Sequence, residues 1–429
     1  MAVEIKKNWK VTFGAIWSGQ IFSLLGSALV QFSLVWWLTQ TTGSATILAT
    51  ASLVAMLPQV IFGPFAGAIV DRANRRLVMI FADAATAIVT LVLVFITSAG
   101  MLQPWHVYVA MFLRSLGQAF HWPAMQSSTS MLVPDEQLSR IAGINQALQG
   151  IVSIVAPPLG AVLLGAMALN WVLSIDIITA MLAILPLLFI AIPNPVQTTK
   201  ALGSPIRTIL NDTGLGFKYV WKWKGLFYVV MLALLINFLT VPGFSLMALL
   251  VQKHFHGGAL QYGWIESAFG IGVIVGGITL GVWGGFKKKV YTSASAIIGL
   301  GLGSLALGMA ASNQYWLGVV AMAFMGIMNP ICNGPFFALM QSKVDADMQG
   351  RVMSMVSSLT MAVVPIAMIF AGPLSDRYGI QTWFVIGGIC CVLVAIAFFT
   401  IREVVTIEEQ APGGKIQQPV LAAAPETTI

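Results

Sequence analysis

Apolar residues run along this chain in long stretches, broken by short polar or charged joints. Twelve stretches can be traced, at approximately 13–38, 45–70, 77–99, 105–131, 139–167, 170–192, 225–251, 260–285, 290–311, 315–340, 351–374 and 381–401. Each holds about the 20 residues with which a helix crosses the hydrocarbon core of a bilayer. The predicted elements are therefore twelve membrane-spanning helices. Most joints are a few residues long, but 193–224 is a polar segment that divides the spans six and six. Inside it, Ser204-Pro205 reads as a helix start, a capping residue followed by proline at the first helical position. Ile206, Ile209, Leu210, Phe217, Val220 and Trp221 then fall close to helical spacing, with Lys218, Lys222 and Lys224 beside Trp221 and Trp223. Such aromatic and basic anchors suit a helix lying against lipid headgroups; a linker without structure is the plainer reading. Beyond Glu403 the chain turns to Pro412, Gly413, Gly414, Pro419 and Pro425 with few aromatics, which predicts a disordered tail.

The pattern also repeats. Gly63-x-x-x-Gly67 at the end of span two returns as Gly277-x-x-x-Gly281 at the end of span eight, and the basic Lys287-Lys288-Lys289 follows the second copy. Trp122-Pro123-Ala124-Met125-Gln126 in span four is echoed by Gly334-Pro335-Phe336-Phe337-Ala338 in span ten. Arg140 and Arg351 open spans five and eleven at nearly the same offset. These echoes predict an all-α membrane fold of two pseudo-symmetric six-helix bundles, 1–192 and 225–401, facing each other across a cavity. The linker is 193–224 and the tail 402–429.

Composition sharpens the class. Of 429 residues, 58% are hydrophobic and only 9% charged, against about 25% charged in a soluble domain. The first apolar run is too long for the core of a cleavable signal peptide and reads as a first span with its amino terminus inside. Basic residues are sorted by side. The outer joints hold only Lys253 and Arg377, Arg114 lies within a span, and every other lysine and arginine falls on the inner side. By the positive-inside rule both termini are cytoplasmic. The net charge of +7 therefore points to topology rather than to nucleic acid. Cys332, Cys390 and Cys391 all lie in apolar runs, which predicts core residues and neither a disulfide framework nor a metal site.

The joint Gly67-Ala68-Ile69-Val70-Asp71-Arg72-Ala73-Asn74-Arg75-Arg76 is a tight charged hairpin at the inner surface. Asn74 is expected in a left-handed conformation there, and Gly67 is expected to admit a close helix neighbour. Span eleven begins on the same side, so the positive end of its dipole faces this loop. An aspartate docked on it would hold the inner mouth shut, which makes Gly67, Asp71, Arg72, Arg75 and Arg76 a candidate switch. Asp83, one face further along, is expected to partner the arginines of the turn. The plainer alternative is a charged loop that only sets topology.

This Gly-x-x-x-Asp-Arg-x-Asn-Arg-Arg between spans two and three resembles the loop signature of the major facilitator superfamily, with Asn74 where that family usually has glycine. Arg114-Ser115-Leu116-Gly117-Gln118 resembles the family's span-four arginine motif, which implies a part in proton coupling. Gly150 to Gly160 in span five partly resembles the glycine–proline signature of proton-driven drug antiporters, with Ala156 and Ala161 in place of glycine. From Trp9 to Glu403 the chain is similar to the macrolide-efflux branch, on Ile16-Trp17-Ser18-Gly19-Gln20, Phe62–Arg76, Arg114–Ala124 and Leu132–Leu138. The resemblance implies export of bulky amphipathic compounds coupled to inward proton flow, by a monomer in the cell membrane. Siderophore and other metabolite exporters share much of the pattern, and a non-transporting receptor or scaffold is the distant alternative.

Charge within a bilayer is costly and usually paired or functional. Four residues qualify: Asp83, Arg114, Asp176 and Glu266. Helical rise puts Arg114 about 13 Å below the outer surface and Asp176 and Glu266 about 9 Å below it. A guanidinium keeps its proton, so Arg114 would tune a carboxylate partner. Glu266 sits before Gly270-x-Gly272-x-x-x-Gly276-Gly277, where close packing would withdraw it from water. It reads as a proton carrier or as an attractor for a cationic substrate, with a plain interhelical hydrogen bond as the alternative. Asp176 has the same readings. Gln20, Gln31, Trp36, His121, Asn145, Gln146, Gln149, Asn237, Phe238, Asn329 and Asn333 are candidate cavity residues, each one individually also a plausible packing residue. The one Gly-Lys step is Gly414-Lys415, followed by isoleucine, so no phosphate-cradling loop is present. No nucleophile–base constellation points to an enzyme, and no cofactor is called for.

Overall fold

The computed structural model describes residues 9–190, 192 and 205–410. Within them the chain is helical throughout: α1 Trp9–Thr42, α2 Ala45–Val70, α3 Arg75–Ser98, α4 Pro104–Leu132, α5 Asp135–Ala166, α6 Leu169–Phe189, α7 Pro205–Lys222, α8 Lys224–Ser245, α9 Met247–Lys253, α10 Ala259–Trp283, α11 Lys289–Met309, α12 Tyr315–Lys343, α13 Gln349–Tyr378, α14 Ile380–Thr400 and the short α15 Arg402–Val405. Eleven of these are long and apolar enough to cross a membrane. α4 falls outside that set although its 29 residues would extend about 44 Å. Its apolar surface is interrupted by Arg114, Gln118, His121 and the run Gln126–Ser130.

Packing among the first six long helices is α1 on α5 and α6, α2 on α4, and α3 on α4 and α6. The later helices repeat this arrangement, with α8 on α13 and α14, α10 on α12, and α11 on α12 and α14. The most extensive joins between the early and the late set are α2 with α13 and α5 with α10. Both run antiparallel. Ala45 at the start of α2 meets Asp376 at the end of α13, and Ser267 early in α10 donates to the Ile154 carbonyl late in α5. The α2–α3 turn and the α10–α11 turn therefore lie at one end of the molecule. That end collects Arg72, Arg75, Arg76, Lys287, Lys288 and Lys289 and is called here the basic face.

Local chemistry explains several boundaries, some of them against expectation. Asn74 is not left-handed: it is extended (φ −72°, ψ 105°) and caps α3, accepting from the Leu77 amide. A short polar side chain at a helix start satisfies one of the first-turn amides that has no partner within the helix, and this replaces the glycine geometry the turn was expected to need. The expected continuous run 225–251 is broken at Leu246 into α8 and α9, just after Pro242-Gly243; proline removes a backbone donor from the ladder. The helix expected in the joint is present as α7, described from Pro205 to Lys222. Its Val220 is buried, as is Trp223 beyond its end, while Phe217 and Trp221 stay exposed. Ser204, Lys6, Lys7 and Lys200 lie outside the described residues.

The tail is the clearest correction. Arg402–Gln410 is folded rather than disordered. Val404 and Ile407 are fully buried, Glu408 accepts from the Val290 amide at the start of α11, and Trp223 donates to the Gln410 side chain. Two apolar anchors, a helix-capping carboxylate and contacts from Trp223, Lys288 and Lys343 hold a segment whose composition alone reads as loop. The proline- and glycine-rich remainder, 411–429, lies outside the described residues.

Candidate functional site

A cavity of about 1910 Å³, counted with its open mouth, lies between the early and late helices. Gln31, Gln59, Gln118, Gln149 and Glu266 are among its polar lining, with Phe32, Trp122, Phe244, Tyr262 and Met361 among its apolar walls. Glu266 reaches it because α10 is held by small residues on two other sides. Gly270 packs against Ile154 of α5, and Gly272 and Gly276 pack against the backbone of α12. That leaves the Glu266 side of the helix to face the space. No ion pair or hydrogen bond to its carboxylate occurs among the described residues. One turn earlier, Tyr262 stacks on Phe32 with ring centres 4.9 Å apart and on Trp36 at 6.0 Å. Trp36 is buried in this aromatic roof rather than lining the cavity.

The other expected cavity residues divide between two adjoining spaces. Gln20, His121 and Asn145 line a pocket of about 640 Å³ among α1, α3, α4 and α5, and Gln149 borders both it and the central cavity. Asn237, Asn329 and Asn333 line a space of about 1860 Å³ within the late helices, which touches the central one at Phe244 and Met361. The Asn237 amide donates to the Ala233 carbonyl of its own helix, and that of Asn333 to Asn329. Phe238, which packs against Phe370, and the exposed Gln146 line none of these three spaces.

Arg114 finds the carboxylate partner anticipated for it, and the partner is Asp176, at 2.5 Å. Both are buried. Thr90 donates to the same carboxylate at 2.8 Å and Ser27 to its second oxygen at 3.1 Å, while Arg114 also donates to Thr90. A carboxylate with two hydroxyl donors and a guanidinium is electrostatically settled, as burial of charge demands. Glu266 lies outside this network.

Asp83 is not beside the arginines of the turn. Gln20 donates to its Oδ2 at 3.1 Å, and the His121 Nε2 lies 3.4 Å from its Oδ1. The arginines are occupied elsewhere. Arg75 donates to the Ser127 carbonyl at 3.0 Å and faces Asp71 at 3.4 Å; Arg76 donates to the Leu187 and Leu188 carbonyls; Arg72 is exposed.

The turn itself is not docked on α13. The Asp71 side chain is 67% exposed and pairs only with Arg75 of its own hairpin. A Cβ built on Gly67 would meet nothing within 4 Å, so the close neighbour expected there is absent. At the opposite end of the same helix pair the contact is made in full. Asp376 accepts from the Ala45 amide at 2.7 Å, the Thr46 amide at 2.9 Å and the Ser44 hydroxyl at 2.9 Å. These amides belong to the first turn of α2, where donors have no intrahelical partner and the helix dipole favours an anion. A Cβ on Gly372 would lie 2.7 Å from Thr46 Cα, so the backbones touch. Sequence reasoning missed Asp376. The available signal was Gly372-Pro373-Leu374-Ser375-Asp376-Arg377, which repeats the Gly-x-x-x-Asp-Arg of Gly67 to Arg72 at the end of the helix that α2 pairs with.

Comparison with known proteins places this geometry. The profile of the Major Facilitator Superfamily matches residues 16–358 and 226–425. Macrolide efflux protein A of Streptococcus pyogenes is 33% identical over 402 residues, covering 94% of this chain and 98% of that one. Multidrug efflux pump Tap of Mycobacterium tuberculosis is 27% identical over 417 residues, covering 93% and 94%. Among solved structures, a D-xylose-proton symporter superposes with a TM-score of 0.68 at 14% identity, covering 94% of this chain and 99% of that one. The nucleoside transporter NupG superposes with a TM-score of 0.63 at 17% identity, covering 89% and 98%.

Proposed function

The chain belongs to the major facilitator superfamily, among its macrolide and multidrug efflux members, and from that premise we propose that it exports bulky amphipathic compounds by proton-coupled alternating access. It is a multi-pass membrane transporter, not an enzyme. In this reading α4 is the twelfth span, and its polar stripe faces protein rather than lipid. Helices of 1–192 and of 225–401 form two six-helix bundles, joined by the linker at 193–224. The matching sets of helix contacts within the early and late halves support that division. The basic face is cytoplasmic, with both termini on it, as the sorting of lysine and arginine requires.

The observation that carries the reading is a carboxylate without a partner among the described residues, in a large, mostly apolar space beside a helix pair, α2 and α13, that is capped at one end and not at the other. Glu266 lines the cavity together with Gln31 and Gln149. The Phe32–Trp36–Tyr262 stack and the Asp376 cap lie toward the end away from the basic face. The conformation is inward-facing. Substrate would enter from the cytoplasmic side, and proton binding at Glu266 would be exchanged against it as the two halves rock. Arg114 and Asp176 would act beside this as a buried hinge pair, and Gln20, His121, Asn145, Asn237, Asn329 and Asn333 as polar contacts along the cavity walls. In the outward-open state Asp71 would take up on α13 the place that Asp376 now holds on α2.

The test is uptake of radiolabelled erythromycin into inverted membrane vesicles energised with a proton gradient. Gradient-dependent accumulation that is lost in Glu266→Gln is the expected result. Uphill accumulation that survives in both Glu266→Gln and Asp176→Asn would end the proton-coupled reading. Should Glu266→Gln spare a neutral probe and lose only cationic ethidium, the carboxylate recognises substrate charge instead.

A further inference from the structure

Two ionisable clusters are buried in the first six helices, and they differ in their charge balance. Arg114 and Asp176 form an ion pair with each other. Asp83 has no such permanent partner. Its carboxylate is 3% exposed, accepts from Gln20, and faces a His121 ring that is 6% exposed. With the carboxylate ionised, that cluster is neutral only when the imidazole carries a proton. With the ring neutral, a whole negative charge is left in a medium where an unpaired ion is severely penalised.

No other charge relieves it. α1 packs over the pair with Trp17 and Gln20, and its one ionisable side chain is Lys10 at the far end. α2, which packs on α4, has no titratable residue at all. α5 contributes Asn145 and Gln149, its ionisable Asp135, Glu136 and Arg140 all being exposed at its start. α6 brings only Asp176, already held by Arg114. On α3 and α4 themselves the remaining titratable or charged groups are Arg75 and Arg76, engaged as described, Arg114, two turns from His121, and His106 and Tyr108 near the start of α4, where His106 accepts from the Gln103 amide.

The pair also has a route for protons. It lines the smaller pocket, and Gln118 and Gln149 border both that pocket and the central cavity. In the other direction Asp83, Thr86 and Thr90 recur at spacings of three and four along α3, which places them on one face. All three are buried, and Thr90 donates to Asp176. A continuous polar stripe thus links the two clusters across about 10 Å of helix.

On this geometry, and resting on the proton-coupled reading above, we infer that Asp83 and His121 form a second proton-binding site of the transport cycle, separate from Glu266 and lodged wholly within the first six helices. One proton adds to the unprotonated ring nitrogen of His121 and gives an imidazolium–carboxylate pair of zero net charge. Its release to the central cavity returns a neutral ring and a lone carboxylate. Neutral and charged states of the pair would bind Gln20 of α1 differently, so loading of this site would be felt by the helix that borders the substrate space. Histidine suits the task because its charge changes near physiological pH.

The chain has four histidines, so ring nitrogen-15 spectra of the full-length protein in lipid nanodiscs resolve His121 by its loss in His121→Gln. Between about pH 5.5 and about 8.5 the wild-type His121 signal is expected to move, and in Asp83→Asn to stay fixed in one protonation state. Asparagine at position 83 keeps the acceptor for Gln20, and glutamine at 121 keeps a donor toward Asp83, so both variants should fold. In proteoliposomes loaded with erythromycin, each variant should flatten the dependence of efflux on internal pH, while the steepness assigned to Glu266 remains. A His121 signal that does not titrate in the wild type overturns the inference. So does an unchanged pH profile in both variants while wild-type efflux is still driven by the gradient, which leaves Glu266 as the coupling site. Wild-type efflux that ignores the gradient overturns this inference together with the reading it rests on.

Discussion

Helices α2 and α13 lie antiparallel, and each ends in Gly-x-x-x-Asp-Arg, Gly67 to Arg72 on one and Gly372 to Arg377 on the other. The two ends are in opposite states. Asp376 is seated on the first-turn amides of α2 with backbones in contact at Gly372. Asp71 points to solvent, Gly67 has open space around it, and the start of α13 has no side-chain cap. Identical residue types at identical spacing therefore do not specify a contact. They specify a capacity for one, and a rigid pair of helices that rocks can satisfy it at only one end at a time. On the rocking motion proposed above, the difference between the ends would mark one conformational state of the cycle.

The largest effect should come from blocking one close approach and then the other. Gly372→Trp cannot coexist with Thr46 Cα at 2.7 Å from the Cβ position, so the cap is forced apart and transport should fall at least about tenfold. Gly67→Trp meets nothing in the present state and should allow it, yet obstruct closure of the basic face, with a similar loss. Single-cysteine labelling, in a background lacking Cys332, Cys390 and Cys391, should show opposite shifts. Gly372→Trp protects the basic-face side of the cavity, and Gly67→Trp exposes it. Equal labelling in the two variants would break the comparison.

Next in size is Asp376→Asn, which keeps the shape and removes the charge. A charge-assisted hydrogen bond is worth roughly 1.5–3 kcal/mol, so the balance should move toward opening at the face away from the basic one by roughly 10- to 100-fold. Spin-label distances between positions 46 and 374 would read that change. Smaller again is Asp71→Asn. It costs nothing in the conformation described here, because Asp71 is exposed, but it removes the docking carboxylate of the alternative one. Labelling from the basic face should increase, and no change would mean that Asp71 only sets topology.

The smallest effect is expected at Lys288, paired with Glu409 at 2.8 Å on the basic face. The hydrogen bond to the Glu409 carboxylate raises the lysine's pKa above its ordinary value. Its contribution is therefore complete at neutral pH and is lost only as pH rises through that raised value. Because the group is exposed and screened by salt, Lys288→Ala should leave the thermal midpoint nearly unchanged at high ionic strength. A large drop would show that the folded tail at Arg402–Gln410 depends on this pair rather than on buried Val404 and Ile407.

Much of this protein was legible in the sequence, for a physical reason. A bilayer demands about 20 apolar residues per crossing and makes each buried charge conspicuous, so the long helices, the basic face and the four ionisable residues within spans can be found without a structure. The helix over Pro205–Lys222 could be read because helical spacing of apolar residues is a local pattern. Partnership could not be read. Arg114 needed a carboxylate, but only the packing of α4 on α3 and of α3 on α6 decided that it is Asp176 and leaves Glu266 alone in the cavity. Asp83 turned away from the nearby arginines toward Gln20 and His121 because helix rotation, not distance along the chain, sets which side chains meet. The same holds for Asp71 and Asp376, whose local sequences match and whose neighbours do not. One-dimensional patterns record what each residue can do in lipid or water, whereas ion pairs, roofs and caps join residues dozens to hundreds of positions apart, and their energies exist only once the helices have been brought together.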